Sequence, residues 1–361
     1  MSAPHSKPMD YPADPLPEAP IEENSPPELR VRGNQLRDAN DCDVWLQGLA
    51  IPGLEIRPEG HGNLKSTLVG IEEWGANVIR LPIRDSFWYG QGGDGHVQND
   101  GGEAYRALVD AIVVATANRG AYVVLDHHRF RAVRPEHLPF WQEIAERYKN
   151  HPAVIFDLIN EPHGISWEVW RNGGKVTEKE LSQVDESAFL CEEEKQQILS
   201  FESPGMQALV DIVRETGARN LIVAGALDWA YDLSGILDGY ALDDRGGNGI
   251  MYATHVYPWK SGWQKAFIEA AAHYPLLLGE VGADVQIMSF LPLEVQEDPY
   301  SWYPDMLGLI QKHKLHWTGW SFHAWATPRM ILDWQYTPSP FWGEPAKQAL
   351  AGKQFPLTRL R

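Results

Sequence analysis

The chain has 361 residues, 43% hydrophobic and 11% aromatic, enough to bury one large core or two smaller ones. Its 31 Lys+Arg against 49 Asp+Glu give a formal charge of −18, a balance that repels nucleic acid and anionic membrane surfaces and favours neutral partners. No apolar run reaches the roughly 18 residues of a membrane span, and Cys42 and Cys191 offer at most one bridge, with no disulfide framework and no CxxC metal site.

Residues 1–28, MSAPHSKPMDYPADPLPEAPIEENSPPE, are Pro-rich and acidic and lack the apolar segment of a secretory signal, so they read as a disordered leader before a domain over residues 29–361. Short apolar runs follow at VWLQGLAI (44–51), ANVIRLPI (76–83), AYVVLDHH (121–128), AVIFDLIN (153–160), NLIVAGAL (220–227), IMYATHVY (250–257), PLLLGEVG (275–282) and LHWTGWSF (315–322). Most are continuous rather than alternating, as expected of parallel strands covered on both faces. The segments EAYRALVDAIVVATANRG, LPFWQEIAERYKN and PGMQALVDIVRETGARN space their apolar residues three and four apart and end near Gly or Asn, which predicts helices. Eight strand–helix units in about 300 residues predict an α/β fold, a (β/α)8 TIM barrel. A doubly wound sheet would place a Gly-rich phosphate turn after its first strand, and none follows LQGLAI. GQGGDGHVQNDGG (90–102) reads as a loop, and residues 166–203, with the acidic ESAFLCEEEKQQ, as a long insertion after the fourth strand.

In such a barrel the catalytic groups lie at the C-terminal ends of the strands. Strand two carries Arg80, strand three Asp126, His127 and His128, strand four Asn160 and Glu161, strand six His255 and Tyr257, strand seven Glu280, and strand eight Trp320, His323 and Trp325. Singly, each has an ordinary packing or ion-pair explanation; together at one end they point to a site. Buried carboxylates on strands four and seven face each other across the axis, the equipment for glycosidic bond hydrolysis: one donates a proton to the departing oxygen while the other attacks or activates water. The 15 tryptophans fit a sugar ligand for a minority and packing for most. Asp228, Trp229 and Tyr231, after strand five, are candidates for lining a cleft.

RLPI at 80–83, VVLDHH at 123–128, NEP at 160–162, HVY at 255–257 and GE at 279–280 keep the order and character of glycoside hydrolase family 5, the cellulase family of the clan A barrels, which the chain resembles from about Leu29 onward. The resemblance implies Glu161 as acid/base and Glu280 as nucleophile of a retaining, endo-acting double displacement. It further implies Asn160 bonding the sugar 2-OH, Arg80 and Tyr257 holding the Glu280 carboxylate ionised, and His128 and His255 at the sugar or the acid/base. A tryptophan usually stacks under the cleaved sugar after strand eight; TGWSFHAWATP places His323 there, so Trp325 is expected in that role, with His323 and Trp320 as alternatives. The implied partner is a β-linked polysaccharide or oligosaccharide, β-1,4-glucan first and mannan, xyloglucan or mixed-linkage glucan as alternatives. No cofactor or metal, no nucleic acid and no membrane is expected, and the protein is expected to be a secreted monomer. Two rivals are a metal-dependent hydrolase using Asp126, His127 and His128, and a carbohydrate-binding barrel that has lost its chemistry.

Overall fold

All eight apolar runs become parallel strands in a computed structural model that describes residues 11–92, 96–177, 200–289 and 291–361. They are β1 (Gln47–Ala50), β2 (Val78–Ile83), β3 (Tyr122–His127), β4 (Val154–Asp157), β5 (Ile222–Gly225), β6 (Ile250–Val256), β7 (Leu276–Val281) and β8 (His316–Gly319). Each pairs with its sequence neighbour, and β8 returns to β1 to close the barrel. The architecture is the (β/α)8 barrel. Closure removes both sheet edges, so every inner strand group is paired.

Helices cover the outside through apolar stripes. Glu103–Ala117 buries Tyr105, Val109, Ile112, Val113 and Thr116, steps of one, three and four residues that keep one face inward. Gly102 precedes it at φ 83°, where an added Cβ would lie 2.3 Å from the Trp88 carbonyl oxygen, so only glycine fits this entry. His137–Arg147 and Met206–Glu215 occupy the other two segments with helical spacing. Among the described residues no helix is long and apolar enough to cross a membrane.

The barrel interior is layered by strand alternation. Val78, Val124, Ile155, Val223, Met251, Ala253 and Leu277 form an apolar lower layer. The short antiparallel strands Arg30–Arg32, Gln35–Arg37 and Asp43–Val44 close that end, with Leu29 and Leu36 packed into the same cluster. An apolar plug at the N-terminal end leaves the C-terminal end for polar side chains.

Residues 11–28 differ from the disordered segment expected. Asn118 Oδ1 accepts from the Ile21 amide at 2.7 Å, and its Nδ2 donates to Glu18 Oε2 and the Ala19 carbonyl. Arg119 pairs with Glu18, and the Tyr122 hydroxyl donates to the Pro27 carbonyl. Farther up, Asp14 accepts from the Lys65 amide in the first turn of helix Asn63–Glu72. Proline and acidic residues here form a strap along the barrel wall: its extended backbone bonds to side chains of the wall, a pattern that composition does not reveal. The acidic stretch 186–197, Cys191, residues 93–95 of the Gly-rich loop and residues 1–10 lie outside the described residues.

Asn118→Ala removes three hydrogen bonds to the strap at once. It is expected to cost about 1–3 kcal/mol in denaturant unfolding and to make the segment 11–28 the first site of limited proteolysis. An unchanged cleavage rate would show that the strap is held by other means.

Candidate active site

Inward-facing positions alternate up each strand, so the residues two above the apolar layer project into the mouth: Arg80 above Val78, Asp126 above Val124, Asp157 above Ile155 and His255 above Ala253. Glu280 breaks the alternation. Leu277 faces inward, so Gly279 would be next; instead the register between β6 and β7 slips, pairing Thr254 with Leu278 and His255 with Glu280. This β-bulge turns Glu280 into the mouth. Gly279 is required at the slip, since a Cβ there would lie 2.9 Å from His255 Nε2 and 3.4 Å from Arg80 Nε.

Arg80 is fully buried and joins four strand ends. Its Nε donates to Asp157 Oδ2 at 3.0 Å, Nη1 to Glu280 Oε1 at 3.1 Å and Nη2 to Asn160 Oδ1 at 2.7 Å, with Asp126 Oδ1 3.1 Å from Nη2. One guanidinium therefore meets three carboxyl groups. Burial outweighs the attraction of Arg80, pushing Asp126 up to about 6 and Asp157 up to about 8. These two are direct neighbours in the β3–β4 register, and burial favours the protonated form of each.

Above this layer Glu280 accepts from Arg80 through Oε1 and from the Tyr257 hydroxyl through Oε2 at 2.5 Å. Glu161 lies just past β4, in a short pairing of Glu161–Pro162 with Phe130–Arg131. Its Oε1 is 2.9 Å from His255 Nδ1, and burial, then the charge of Glu280, raise it well above the usual carboxylate range. Glu161, His255 and Glu280 place ligand atoms within 4.8 Å of one another, so the two carboxyl groups approach at least that closely. His128 Nδ1 sits 2.7 Å from Asp126 Oδ2, and Asn160, whose Oδ1 is taken by Arg80, keeps Nδ2 buried without a partner among the described residues.

An aromatic row crosses the mouth. Trp320 lies parallel to His128 at 6.0 Å, Phe130 meets His128 and Trp229, and Trp229 stacks on His163 at 3.6 Å. Asp228, Trp229 and Ala230 have φ of 55°, 62° and 53°, three successive residues in the left-handed region. Lys260 pins this turn through the Asp228 carboxylate and carbonyl and sits over the Tyr231 ring. Tyr231 itself is buried, with its hydroxyl on the Ser261 carbonyl.

Arg80, His128, Asn160, Glu161, His255, Tyr257 and Glu280 are thus brought together, with Trp229 at the β5 side. Trp325 and His323, expected with Trp320 as candidates for the sugar platform, pack with His61 and Trp334, whereas Trp320 lies beside His128. His127 points the other way, against His137, Phe140 and Trp141 outside the strands. Asp126, His127 and His128 therefore cannot converge on one ion, because alternation sends the middle residue outward. The sets among the described residues whose ligand atoms do converge are Glu161–His255–Glu280 and Asp85–His127–His137. Asp157 and Lys260 were not among the residues expected from the sequence. Asp157 was legible by parity with Ile155; Lys260, in a loop, carried no signal.

A family model, Cellulase (glycosyl hydrolase family 5), matches residues 38–325. The chain belongs to this family. Endoglucanase A of Butyrivibrio fibrisolvens is 26% identical over 237 residues, 64% of this chain and 45% of that protein. Endoglucanase E-5 of Thermobifida fusca is 24% identical over 313 residues, covering 82% and 55%. The chain spans about half the length of the curated relatives it matches. Its fold matches that of the beta-glucanase SdGluc5_26A from Saccharophagus degradans with a TM-score of 0.69 at 24% identity, covering 93% of this chain and 97% of that one.

A carboxyl group raised on folding stabilises the protein below its unfolded pKa, and that contribution disappears as pH rises through the folded value. Asp126 and Asp157 therefore predict that unfolding free energy falls as pH rises from about 4 through about 8. Asp157→Asn should flatten the slope above pH 6 in denaturant titrations. Stability rising over that interval would contradict the raised carboxyl groups.

Proposed function

We propose that this family 5 barrel is a retaining, endo-acting β-1,4-glucanase in which Glu161 is the acid/base and Glu280 the nucleophile. The observation that carries the reading is the approach of the two carboxyl groups within 4.8 Å. Retaining glycosidases hold their carboxyls about 5–5.5 Å apart, whereas inverting enzymes leave about 6.5–9.5 Å for a water. The split environment supports the division of labour: Glu161 tends to keep its proton, and Glu280 accepts two hydrogen bonds, one from a cation.

In the first step the Glu280 carboxylate attacks the anomeric carbon from below while the glycosidic oxygen departs with the proton of Glu161. A glycosyl ester on Glu280 results. In the second step Glu161, now a carboxylate, takes a proton from the water that attacks the same carbon, and Glu280 leaves as a carboxylate. Two inversions give net retention. The amide of Asn160, fixed by Arg80 with Nδ2 unpaired, suits a bond to the sugar 2-OH, and the parallel Trp320 and His128 suit the cleaved sugar, with Trp320 as its platform. Trp229 lies on the Glu161 side, where the leaving sugar would stack.

Glucan is proposed over mannan, xyloglucan or mixed-linkage glucan because the curated relatives are named endoglucanases, and the SdGluc5_26A β-glucanase has been crystallised with cellotetraose. A barrel that only bound sugar would bury these carboxyls at a cost with no return. The polymeric substrate places the reaction outside the cell.

Hydrolysis is expected to fail on the alkaline side as Glu161 loses its proton, and a Glu161→Gln protein assayed on an activated aryl glycoside should not show that limb. Its persistence would assign the limb to another group. The two glutamates separate further by azide rescue. Glu280→Ala with azide should give the α-glycosyl azide by single inversion; Glu161→Ala with azide should give the β-glycosyl azide by way of the ester. The same anomer from both variants would overturn the roles.

A further inference from the structure

Asp228, Trp229 and Ala230 hold left-handed φ in succession just past β5, whereas elsewhere among the described residues non-glycine residues of positive φ occur singly. Each crowds its Cβ against the following carbonyl, so a run of three persists only where the surroundings enforce it. Lys260 supplies much of that enforcement. Its Nζ donates to the Asp228 carboxylate at 2.8 Å and to the Asp228 carbonyl at 3.0 Å, and lies 4.9 Å from the centre of the Tyr231 ring. The Thr254 hydroxyl, which donates to the Tyr231 carbonyl, and the bridge between Leu227 and Asp232 close the turn behind it.

The turn braces the segment that carries Glu161. Trp229 lies flat on His163, with ring centroids 3.6 Å and planes 5° apart, and His163 Nδ1 donates to the Glu161 carbonyl at 2.9 Å. From the β3 side the Arg129 carbonyl takes the Glu161 amide. Lys260 itself belongs to the turn after β6, where its amide donates to the carbonyl of Tyr257, the residue whose hydroxyl bonds Glu280. One side chain therefore ties the turn behind Glu280 to the turn beside Glu161.

We propose that Lys260, through its bonds to Asp228, is a positioning residue for Glu161, because it keeps Trp229 pressed against the segment on which that carboxyl group sits. The inference rests on the reading of Glu161 as acid/base. Lys260 acts through the turn and need not touch the sugar. Its charge has a separate effect. Glu161 is faced by His255 from β6, Glu280 from β7, Arg80 from β2, Asp126 from β3 and Lys260 from the loop after β6. Burial, then the charge of Glu280, raise its pKa; Arg80 and Lys260 pull it down, and Asp126 adds to the rise. Loss of the Lys260 charge therefore favours protonated Glu161 and moves the alkaline limb of activity to higher pH.

Aryl β-cellobiosides of similar size but different phenol acidity read the acid directly, because kcat/KM reports the first displacement and only a poor leaving group needs the proton. Lys260→Met should lose about tenfold in kcat/KM on the phenyl cellobioside and little on the dinitrophenyl one, with the alkaline limb on the phenyl substrate moved to higher pH. Lys260→Arg should restore both. Asp228→Ala removes the carboxylate bond yet keeps the lysine charge, so it should repeat the leaving-group dependence without the upward shift. The Asp228 side chain is exposed, so this variant carries the test should Lys260→Met fail to fold. A loss equal on both substrates would come from sugar stacking or general loosening and would overturn the positioning role, as would no loss in either variant. Glu161→Gln, assayed beside them, separates the two readings. If it shows a strong leaving-group dependence and the Lys260 and Asp228 variants do not, Glu161 remains the acid and the positioning role falls; if it shows none, the acid reading falls and takes the positioning role with it.

Discussion

A single buried cation organises the mouth of this barrel. Arg80 has no exposed surface, and removing such a charge from water costs several kcal/mol unless partners surround it. Here the partners come from β3, β4 and β7 and from Asn160, so the same bonds that make the burial tolerable also fix the relative positions of the groups proposed to do chemistry. Loss of the guanidinium would leave Asp126, Asp157 and Glu280 facing one another without compensation. The apolar layer below makes this arrangement possible, because it excludes water from the barrel floor and leaves polar side chains nowhere to go but upward.

Much of this was legible in the sequence. The eight strands showed as eight apolar runs, most of them continuous, and continuous runs arise because a parallel strand is covered on both faces. Glu161 and Glu280 showed as carboxylates at strand ends, where burial without a purpose is costly. The inward position of Glu280 was not legible in this way. Strict alternation from Leu277 would send it outward, and only the slip at Gly279 brings it in. The dipeptide Gly-Glu hinted at a special backbone, but the reason for the glycine, the closeness of His255 and Arg80, exists only in three dimensions.

Two other differences have a common cause. The first residues look disordered by composition, yet 11–28 are bonded to Asn118, Arg119 and Tyr122, residues about 95 or more positions away for most of these bonds. The resemblance put Trp325 first as the platform for the cleaved sugar; the chain turns after Trp320 and carries Trp325 to the His61 and His323 side. Both depend on partners distant in sequence, which local pattern and propensity do not encode. The left-handed turn at Asp228–Ala230 belongs with them, since Lys260, its anchor, is 32 residues beyond Asp228.

The close approach of Glu161 and Glu280 makes one stereochemical outcome mandatory for the mechanism proposed. Proton NMR of a cello-oligosaccharide digest, recorded in the first minutes before mutarotation, reads the anomer released at the new reducing end. The account predicts that the β-anomer appears first and the α-anomer grows in later at the rate of spontaneous equilibration. Initial release of the α-anomer would mean a single displacement, and Glu280 would then be a base for water rather than the nucleophile.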